Sequence, residues 1–469
     1  MHELRSWDAI ETAARIAAGE VSAEEVARAA VARAEAWEPH INAVVTPTYE
    51  AGIERAKQPI GGSFAGVPSF IKDLDNIAGV PTGMGSRAYA DFVPKTTAPC
   101  VQQFLDTGFV SLGKSSTPEF GLSATTEPQG ADPTCNPWDR TRSSGGSSGG
   151  AAALTAAGVV PMAYASDGGG SIRIPASFCG LVGLKPSRGR LTDLERASEL
   201  PIKIATYGVI SRSVRDTAAY YAAVERAGSG RGLQPIGDVQ GPGKEELRIG
   251  VYIDSPLGHP IDPAVRAVVE ETGRLLETMG HTVSEVVPFS EKAVRNLARD
   301  FFNYWAMLGA GVSHMSKKTM GADFEKAMLE DWTHGLSRHF RRNLLRVPQA
   351  LLGLRRFERI YADAFKELDV LICPTTAGAA PPLKHLSPDQ PFQLKYDRLH
   401  ALVPFTPVQN VSGAPAISLP LGTSAEGMPL GVQLAGPLGG ERHLLELAYA
   451  LEEAKPWRTM ADDLPEISR

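Results

Sequence analysis

The chain has 469 residues, of which 43% are hydrophobic and 21% are charged, and its formal net charge is −6. This composition is typical of a globular protein with a large core, and it argues against nucleic acid as the main partner because phosphate binding favours a basic face. The sequence contains no run near the roughly 18 apolar residues of a membrane span, and the first residues lack the basic-then-apolar pattern of a secretory signal. We therefore expect no membrane segment and a cytoplasmic location.

Four cysteines occur, at positions 100, 135, 179 and 373, and none forms a C-x-x-C pair. Their number and spacing predict buried reduced thiols, with neither a disulfide framework nor a metal site.

The first third of the chain combines amphipathic helices with short apolar strands. A capping box from Ser22 to Glu25 opens the second helix, which we expect to end at Pro39. The run Val67–Ile71 predicts a buried strand that places Lys72 at its end. Further elements are a helix over Thr48–Gln58, a helix over Pro99–Thr107 and a strand over Phe109–Leu112.

Apolar strands continue to alternate with helices up to a closing helix over Arg442–Glu453. This alternation predicts a single α/β core with a twisted, mixed, mostly parallel sheet that helices cover on both faces. Between the later strands, Ser290–Glu367 has mostly helical character. Its aromatic cluster is interpreted as helix core rather than as a ligand contact, and comprises Phe301, Phe302, Tyr304 and Trp305. The other elements predicted in this part are strands at Val159–Ala165, Leu247–Ile253, Val283–Val287, Val370–Thr375, Ala416–Leu421 and Leu430–Leu434, and helices at Val214–Arg226 and Asp262–Met279.

Three glycines precede a serine in Asp167-Gly-Gly-Gly-Ser171. Glycines allow a tight turn in which several backbone N–H groups converge on one point. Acyl transfer requires such a nest because it must hold the oxyanion of the tetrahedral intermediate. On this motif alone, a simple glycine turn after a strand is an equally good interpretation.

The cluster Ser143–Gly150 has the composition of a flexible linker, yet a linker inside a compact core is not expected. It also contains G-x-S-x-G at Gly145–Gly149, the nucleophile elbow of α/β-hydrolases, which needs a preceding strand. The residues before it do not predict a strand, so this interpretation ranks low.

A serine nucleophile requires a base, and no motif links any of the ten histidines to Ser171. A lysine serves when burial lowers its pKa, and Lys72 at a buried strand end is a candidate. A rival interpretation is S-x-x-K at Ser69-Phe-Ile-Lys72, the motif of penicillin-recognising enzymes. The apolar run favours a strand rather than the helix start which that motif needs, and the sequence has no K-T-G triad.

These segments together resemble the amidase signature hydrolases, which use a Ser–cis-Ser–Lys triad. The resemblance rests on GVPSFIKDLDNIAG, SSGGSSGG, SDGGGSIRIPASFCGLVGLKPSRGR, VSGAPAISLPLG and MPLGVQLAG. The spacings agree as well, with 171 − 147 = 24 residues between the serines and 147 − 72 = 75 between lysine and first serine. The resemblance implies one amidase domain over residues 1–469, with a family-like core at about 60–240 and 368–455 and a variable, mostly helical substrate-side region at about 245–367.

The resemblance also implies site roles. Ser171 would be the nucleophile, Ser147 (in a cis peptide with Gly146) the proton relay, and Lys72 the general base. The N–H groups of Gly168, Gly169, Gly170 and Ser171 would form the oxyanion hole. Ser148, Asp167 and Arg173 would support the loop. Substrate contacts are expected at Leu122, Ser123, Thr125 and Ile174. No metal or cofactor is implied.

The implied activity is hydrolysis of amide, carbamate, urethane or ester bonds in small, fairly hydrophobic molecules, by a monomer or homodimer. Within the family, the motifs are most similar to those of nylon-oligomer (6-aminohexanoate cyclic dimer) hydrolases and of aryl acylamidases or urethanases. Two alternatives remain open at this point. One is the glutamine-hydrolysing subunit of a transfer-RNA-dependent amidotransferase, and the other is a non-catalytic binding scaffold.

Overall fold

A computed structural model describes residues 5–89, 92–195, 197–230, 232–320 and 324–460, and residues 321–323 of the predicted helical region lie outside the described part. The α-helices are α1 (Ala9–Ala17), α2 (Ala23–Ile41), α3 (Tyr49–Ala56), α4 (Pro99–Leu105), α5 (Gly149–Ala156), α6 (Arg173–Cys179), α7 (Val214–Arg226), α8 (Pro263–Thr278), α9 (Glu291–Met320), α10 (Asp331–Arg342), α11 (Val347–Ala364), α12 (Phe392–Leu402), α13 (Pro407–Ser412) and α14 (Glu441–Ala454). The strands are β1 (Val44–Pro47), β2 (Pro68–Lys72), β3 (Val110–Ser115), β4 (Cys135–Asn136), β5 (Asp139–Ser143), β6 (Met162–Asp167), β7 (Val182–Lys185), β8 (Thr206–Ser211), β9 (Arg248–Val251), β10 (Thr282–Glu285), β11 (Val370–Pro374), β12 (Ala416–Thr423) and β13 (Pro429–Ala435).

Within the described residues, eight strands form one mixed sheet in the order β10-β9-β11-β13-β12-β7-β8-β6. Helices flank it: α6 packs against β7, β12 and β13, and α8 packs against β9 to β13. The mixed α/β architecture is confirmed. The predicted predominance of parallel pairs is wrong, because five of the seven neighbouring pairs are antiparallel.

The chain connections explain this outcome. The strands β12 and β13 follow one another through a short turn and form a hairpin, which is necessarily antiparallel. The strands β6 and β7 are linked through α6 and are parallel to each other, but β8 lies between them and runs against both. Helix–strand alternation along the chain therefore placed parallel strands side by side at β9, β10 and β11, but not at β6 and β7.

The strands β1, β3 and β2 form a separate, smaller sheet in that order. Lys72 is the last residue of β2. All five residues of β2 are buried. The helix α2 begins with the predicted capping box, in which Ser22 Oγ accepts from Glu25 N–H and the Glu25 carboxylate accepts from Ser22 N–H. Pro39 does not end that helix, which continues to Ile41 and stops at the left-handed residue Asn42.

Candidate active site

Lys72 has no exposed surface. Its ammonium-forming Nζ donates to Ser147 Oγ at 2.7 Å, to Ser166 Oγ at 3.1 Å and to Ser166 O at 3.3 Å. Burial lowers the pKa of Lys72 to about 7, against the opposing attraction of the Asp75 and Asp167 carboxylates. At neutral pH a large share of this lysine is therefore an uncharged amine that can accept a proton.

The residue Ser69 lies on the same strand, and its Oγ donates to Met162 O at 2.9 Å. Its hydroxyl is therefore committed to the backbone of β6. The S-x-x-K interpretation needed this serine at a helix start, and the observed strand does not provide that context.

The loop before α5 brings Ser147 to Lys72. The Gly146–Ser147 peptide bond is cis. A Cβ atom on Gly146 would lie 2.6 Å from Thr125 N, so the loop packs directly on the neighbouring backbone. The next residue, Ser148, donates through Oγ to Ser166 O at 3.1 Å and accepts from Ser166 N–H at 3.3 Å.

The strand β5 immediately precedes this loop, so the expectation that no strand would precede the G-x-S-x-G motif is wrong. That strand pairs only with β4 among the described strands and lies outside the large sheet. The Ser147 hydroxyl accepts from Lys72, and across the described chain no histidine hydrogen-bonds to Ser147 or Ser171.

Ser171 lies in the loop between the end of β6 and the start of α6. Asp167 organises this loop, since its carboxylate accepts from Gly170 N–H at 2.7 Å and from Ile172 N–H at 3.2 Å. The prediction that Gly170 donates to an oxyanion is wrong for this arrangement, because its N–H already has an acceptor. Among the described residues, the N–H groups of Gly168, Gly169 and Ser171 have no acceptor, and they are available to a ligand.

Asp167 and Arg173 form a fully buried ion pair, with Nε–Oδ2 at 2.9 Å and Nη2–Oδ1 at 3.0 Å. Burial alone would raise the pKa of Asp167, but the Arg173 guanidinium and the Asn410 amide together hold it well below its usual range. The remaining N–H groups of Arg173 reach Asn410 Oδ1 at 2.7 Å and Gln433 Oε1 at 2.7 Å. The ion pair and its amide partners thus connect the loop that carries Ser171 to α13 and β13.

The sequence analysis missed three amides of this network, Gln409, Asn410 and Gln433. A signal was present for Gln433, which lies inside the MPLGVQLAG segment that supports the family resemblance. Gln409 and Asn410 lie on α13 just before VSGAPAISLPLG, and only the three-dimensional fold brings them to Arg173.

Two cavities meet at Ser171. The apolar cavity is lined by Leu122, Ser123, Ala124, Gly146, Gly169, Ser171, Ile174, Leu257, Val294, Leu297, Ala298, Phe301, Phe302, Trp305, Leu399, His400, Val403, Pro404, Pro407 and Val408. The second cavity also has many apolar lining residues, and we call it the polar cavity because Asp75, Asn76, Ser147, Ser166 and Glu195 contribute to its wall. Its lining residues are Leu74, Asp75, Asn76, Met84, Phe92, Phe120, Gly121, Leu122, Ser147, Ser166, Gly168, Ser171, Leu194, Glu195, Leu200, Ile204, Ala205, Trp305, Leu308 and Val312. Ser171 lines both cavities, whereas Ser147 lines only the polar one.

Three of the four predicted substrate contacts, Leu122, Ser123 and Ile174, line the apolar cavity. Thr125 lines neither cavity. Its buried hydroxyl hydrogen-bonds to Ser143 Oγ at 2.9 Å and to the Glu127 carboxylate, behind the loop of the cis peptide.

The aromatic cluster of α9 divides between two roles. Tyr304 is core, as interpreted, and its hydroxyl donates to Ile202 O at 2.6 Å. Phe302 belongs to a buried hydrophobic cluster, and Phe301 and Trp305 pack against such clusters, so the interpretation as core holds for them; all three also line the apolar cavity. Sequence periodicity cannot separate core residues from cavity residues here, because both kinds are apolar and lie on the buried side of α9.

In the part of the chain that the structure describes, no three His, Cys, Asp or Glu side chains are grouped so that they could hold a metal ion. Over the same residues, no helix combines the length and apolar character needed to cross a membrane.

Comparison with known proteins places this geometry in context. A family model described as Amidase matches residues 25–445. The chain is 44% identical over 454 residues to the putative amidase AmiC of Mycobacterium leprae, covering 97% of this chain and 96% of that protein. It is 34% identical over 500 residues to the 6-aminohexanoate-cyclic-dimer hydrolase of Pseudomonas sp. (strain NK87), covering 100% and 99%. A solved structure of 6-aminohexanoate cyclic dimer hydrolase complexed with substrate superimposes with a TM-score of 0.87 at 32% identity, covering 98% and 99%.

Proposed function

The chain belongs to the amidase signature family of hydrolases, which act on carbon–nitrogen bonds in non-peptide amides, and we propose that it does so through an acyl-enzyme on Ser171. The observation that carries this proposal is the contact between buried Lys72 and Ser147, with Nζ 2.7 Å from Oγ. A lysine with a pKa of about 7 is matched to proton transfer near neutral pH.

The proposed cycle begins when neutral Lys72 accepts the Ser147 proton while Ser147 takes the proton of Ser171. The Ser171 oxygen attacks the substrate carbonyl, and the carbonyl oxygen becomes an oxyanion. The free N–H groups of Gly168, Gly169 and Ser171 stabilise this charge. The proton then returns through Ser147 to the leaving nitrogen, and the C–N bond breaks. Water enters by the reverse relay and releases the acid.

The proposed substrates are small amides with a hydrophobic acyl group, together with carbamates, urethanes or esters that pass through the same intermediate. The lining of the apolar cavity supports this choice, because Ile174, Phe301, Phe302 and Trp305 offer apolar surface beside Ser171. A pocket of this kind binds by burial of apolar area and excludes charged acyl groups.

We propose that the chain works as a single amidase domain, as a monomer or homodimer in the cytoplasm, on small molecules rather than on nucleic acid or membranes. The apolar lining does not favour the glutamine-hydrolysing alternative, since glutamine carries both an ammonium and a carboxylate that would lose hydration there. A binding scaffold is not favoured either, because it would not need a buried lysine aimed at a serine.

Labelling with a fluorophosphonate probe tests the proposal, followed by turnover of anilides, aliphatic amides, carbamates, nylon-type oligomers and glutamine. We expect the label on Ser171, and Ser171→Ala should remove both label and turnover. Ser123→Ala, a serine in the same cavity outside the triad, should keep the label. Full turnover by Ser171→Ala would refute the assignment, preference for glutamine would favour the amidotransferase alternative, and failure of both label and turnover would favour a scaffold.

A further inference from the structure

The two cavities at Ser171 differ in their access to the proton relay. In the proposed cycle, Ser147 must hand a proton to the leaving nitrogen, so that nitrogen must lie in the cavity that Ser147 lines. Ser147 and its neighbour Ser166 line the polar cavity and not the apolar one. The geometry thus assigns the acyl group to the apolar cavity and the amine to the polar cavity.

The charged residues that line the polar cavity are acidic. Among its described lining residues, the charged side chains are Asp75 and Glu195, both acids, and no lysine or arginine lines it. The Asp75 carboxylate is occupied from behind, since its Oδ2 accepts from Tyr164 OH at 3.1 Å and its Oδ1 from Cys100 Sγ at 3.7 Å. Glu195 is therefore the carboxylate that remains able to meet a ligand.

Glu195 is exposed, but one oxygen is held in place. The buried amide of Asn76 donates through Nδ2 to Glu195 Oε2 at 2.7 Å. Because a carboxylate only accepts, this contact also fixes which end of the Asn76 amide faces it. The remaining lone pairs of Glu195 are free for N–H donors of a ligand.

We propose that Glu195 selects leaving amines that carry a second, positively charged amino group. This inference rests on the proposed function and deepens it. An N-acyl diamine would place its acyl group against Ile174 and Trp305 and its distant ammonium near Glu195. An amine that carries a distant carboxylate, such as an amino acid released from a linear oligomer, would meet like charge and be disfavoured.

The test uses substrates with one hydrophobic acyl group and three kinds of amine of similar length: monoacylated diamines of three to six carbons, neutral alkylamines and ω-amino acids. The measurement is kcat/KM at low ionic strength for the wild type and for Glu195→Gln. We expect the wild type to rank cationic above neutral above anionic amines. Glu195→Gln should lower the cationic-to-neutral ratio by about three- to ten-fold.

Asp193→Asn is the matched control, because it removes an acid two residues away that pairs with Lys203 and lines neither cavity. It should keep the wild-type ratio, and added salt should shrink the ratio in the wild type but not in Glu195→Gln. If neutral amides are turned over but Glu195→Gln leaves the ratio unchanged, the amine assignment is wrong while the proposed function stands. If Ser171 is not labelled and no amide is cleaved, the proposed function fails and this inference fails with it.

Discussion

The pH dependence of activity tests the role of Lys72 directly. The base must be neutral, and its pKa of about 7 means that about half is neutral at pH 7, about one-tenth at pH 6 and about nine-tenths at pH 8. We therefore expect kcat/KM for an uncharged amide to fall about ten-fold from its plateau to pH 6, with unit slope below the pKa. The assay is initial rate against pH from 5.5 to 9, with tryptophan fluorescence read alongside to show that the protein stays folded.

A second buried lysine, Lys185, provides a control for this pH profile. Burial and the neighbouring Arg173 lower the pKa of Lys185 to about 7 as well, yet its Nζ donates to Pro186 O rather than to a serine of the site. Lys185→Met should keep the break in the profile, whereas Lys72→Arg should be inactive at every pH because arginine stays charged. A profile that is flat from pH 5.5 to 8.5, or a break that moves in Lys185→Met, would refute the assignment.

Further expectations concern stability and the loop of Ser171. Gly170 has a φ of +128° and a Cβ there would meet a side-chain oxygen at 2.3 Å, whereas a Cβ on Gly168 has no neighbour closer than 3.5 Å. Gly170→Ala should therefore lose most activity and Gly168→Ala should keep it, as compared by kcat/KM; equal activities would contradict the packing. Arg173→Met leaves Asp167 buried without its partner and should lower the free energy of unfolding by about 3–5 kcal/mol in urea titrations, and no loss would contradict the bracing role. Burial of Lys72 lowers its pKa from 10.5 to about 7, so the charged form destabilises the folded wild type. This cost in unfolding free energy is complete below about pH 7 and disappears toward pH 10.5. Lys72→Met should therefore be more stable than the wild type at pH 7, and urea titrations should show the difference shrinking toward pH 10.5.

Much of the site could be predicted because its parts are local in sequence. Tight backbone turns favour glycine, and Gly145 and Gly170 both have positive φ. Each lies in a glycine-rich segment that is easily recognised in the sequence. The strand that carries Lys72 is a short apolar run, and a few consecutive residues are enough to predict such a strand. The fold class follows from the same local patterns.

The remainder depends on pairing across the chain. Nothing in the local pattern of β8 states that it inserts between β6 and β7, and this insertion makes the sheet mostly antiparallel. Thr125 has the polar character expected of a substrate contact, yet its hydroxyl turns to Ser143. Trp305 illustrates the converse, since a helical aromatic reads as core until the cavity beside it is seen.

The charge arrangement of the site connects these observations. The one carboxylate at the end of β6, Asp167, is already neutralised by Arg173 at 2.9 Å, and Arg173 is in turn saturated by amides from α13 and β13. Every hydrogen bond that Lys72 makes goes to a hydroxyl or a carbonyl oxygen, none to a carboxylate. A buried ammonium with no carboxylate hydrogen-bonded to it is costly, so burial lowers the pKa of Lys72 to about 7 despite the attraction of Asp75 and Asp167. The hydroxyl nearest to that amine is Ser147. The ion pair that braces the nucleophile loop thereby also leaves Lys72 free to act as the base.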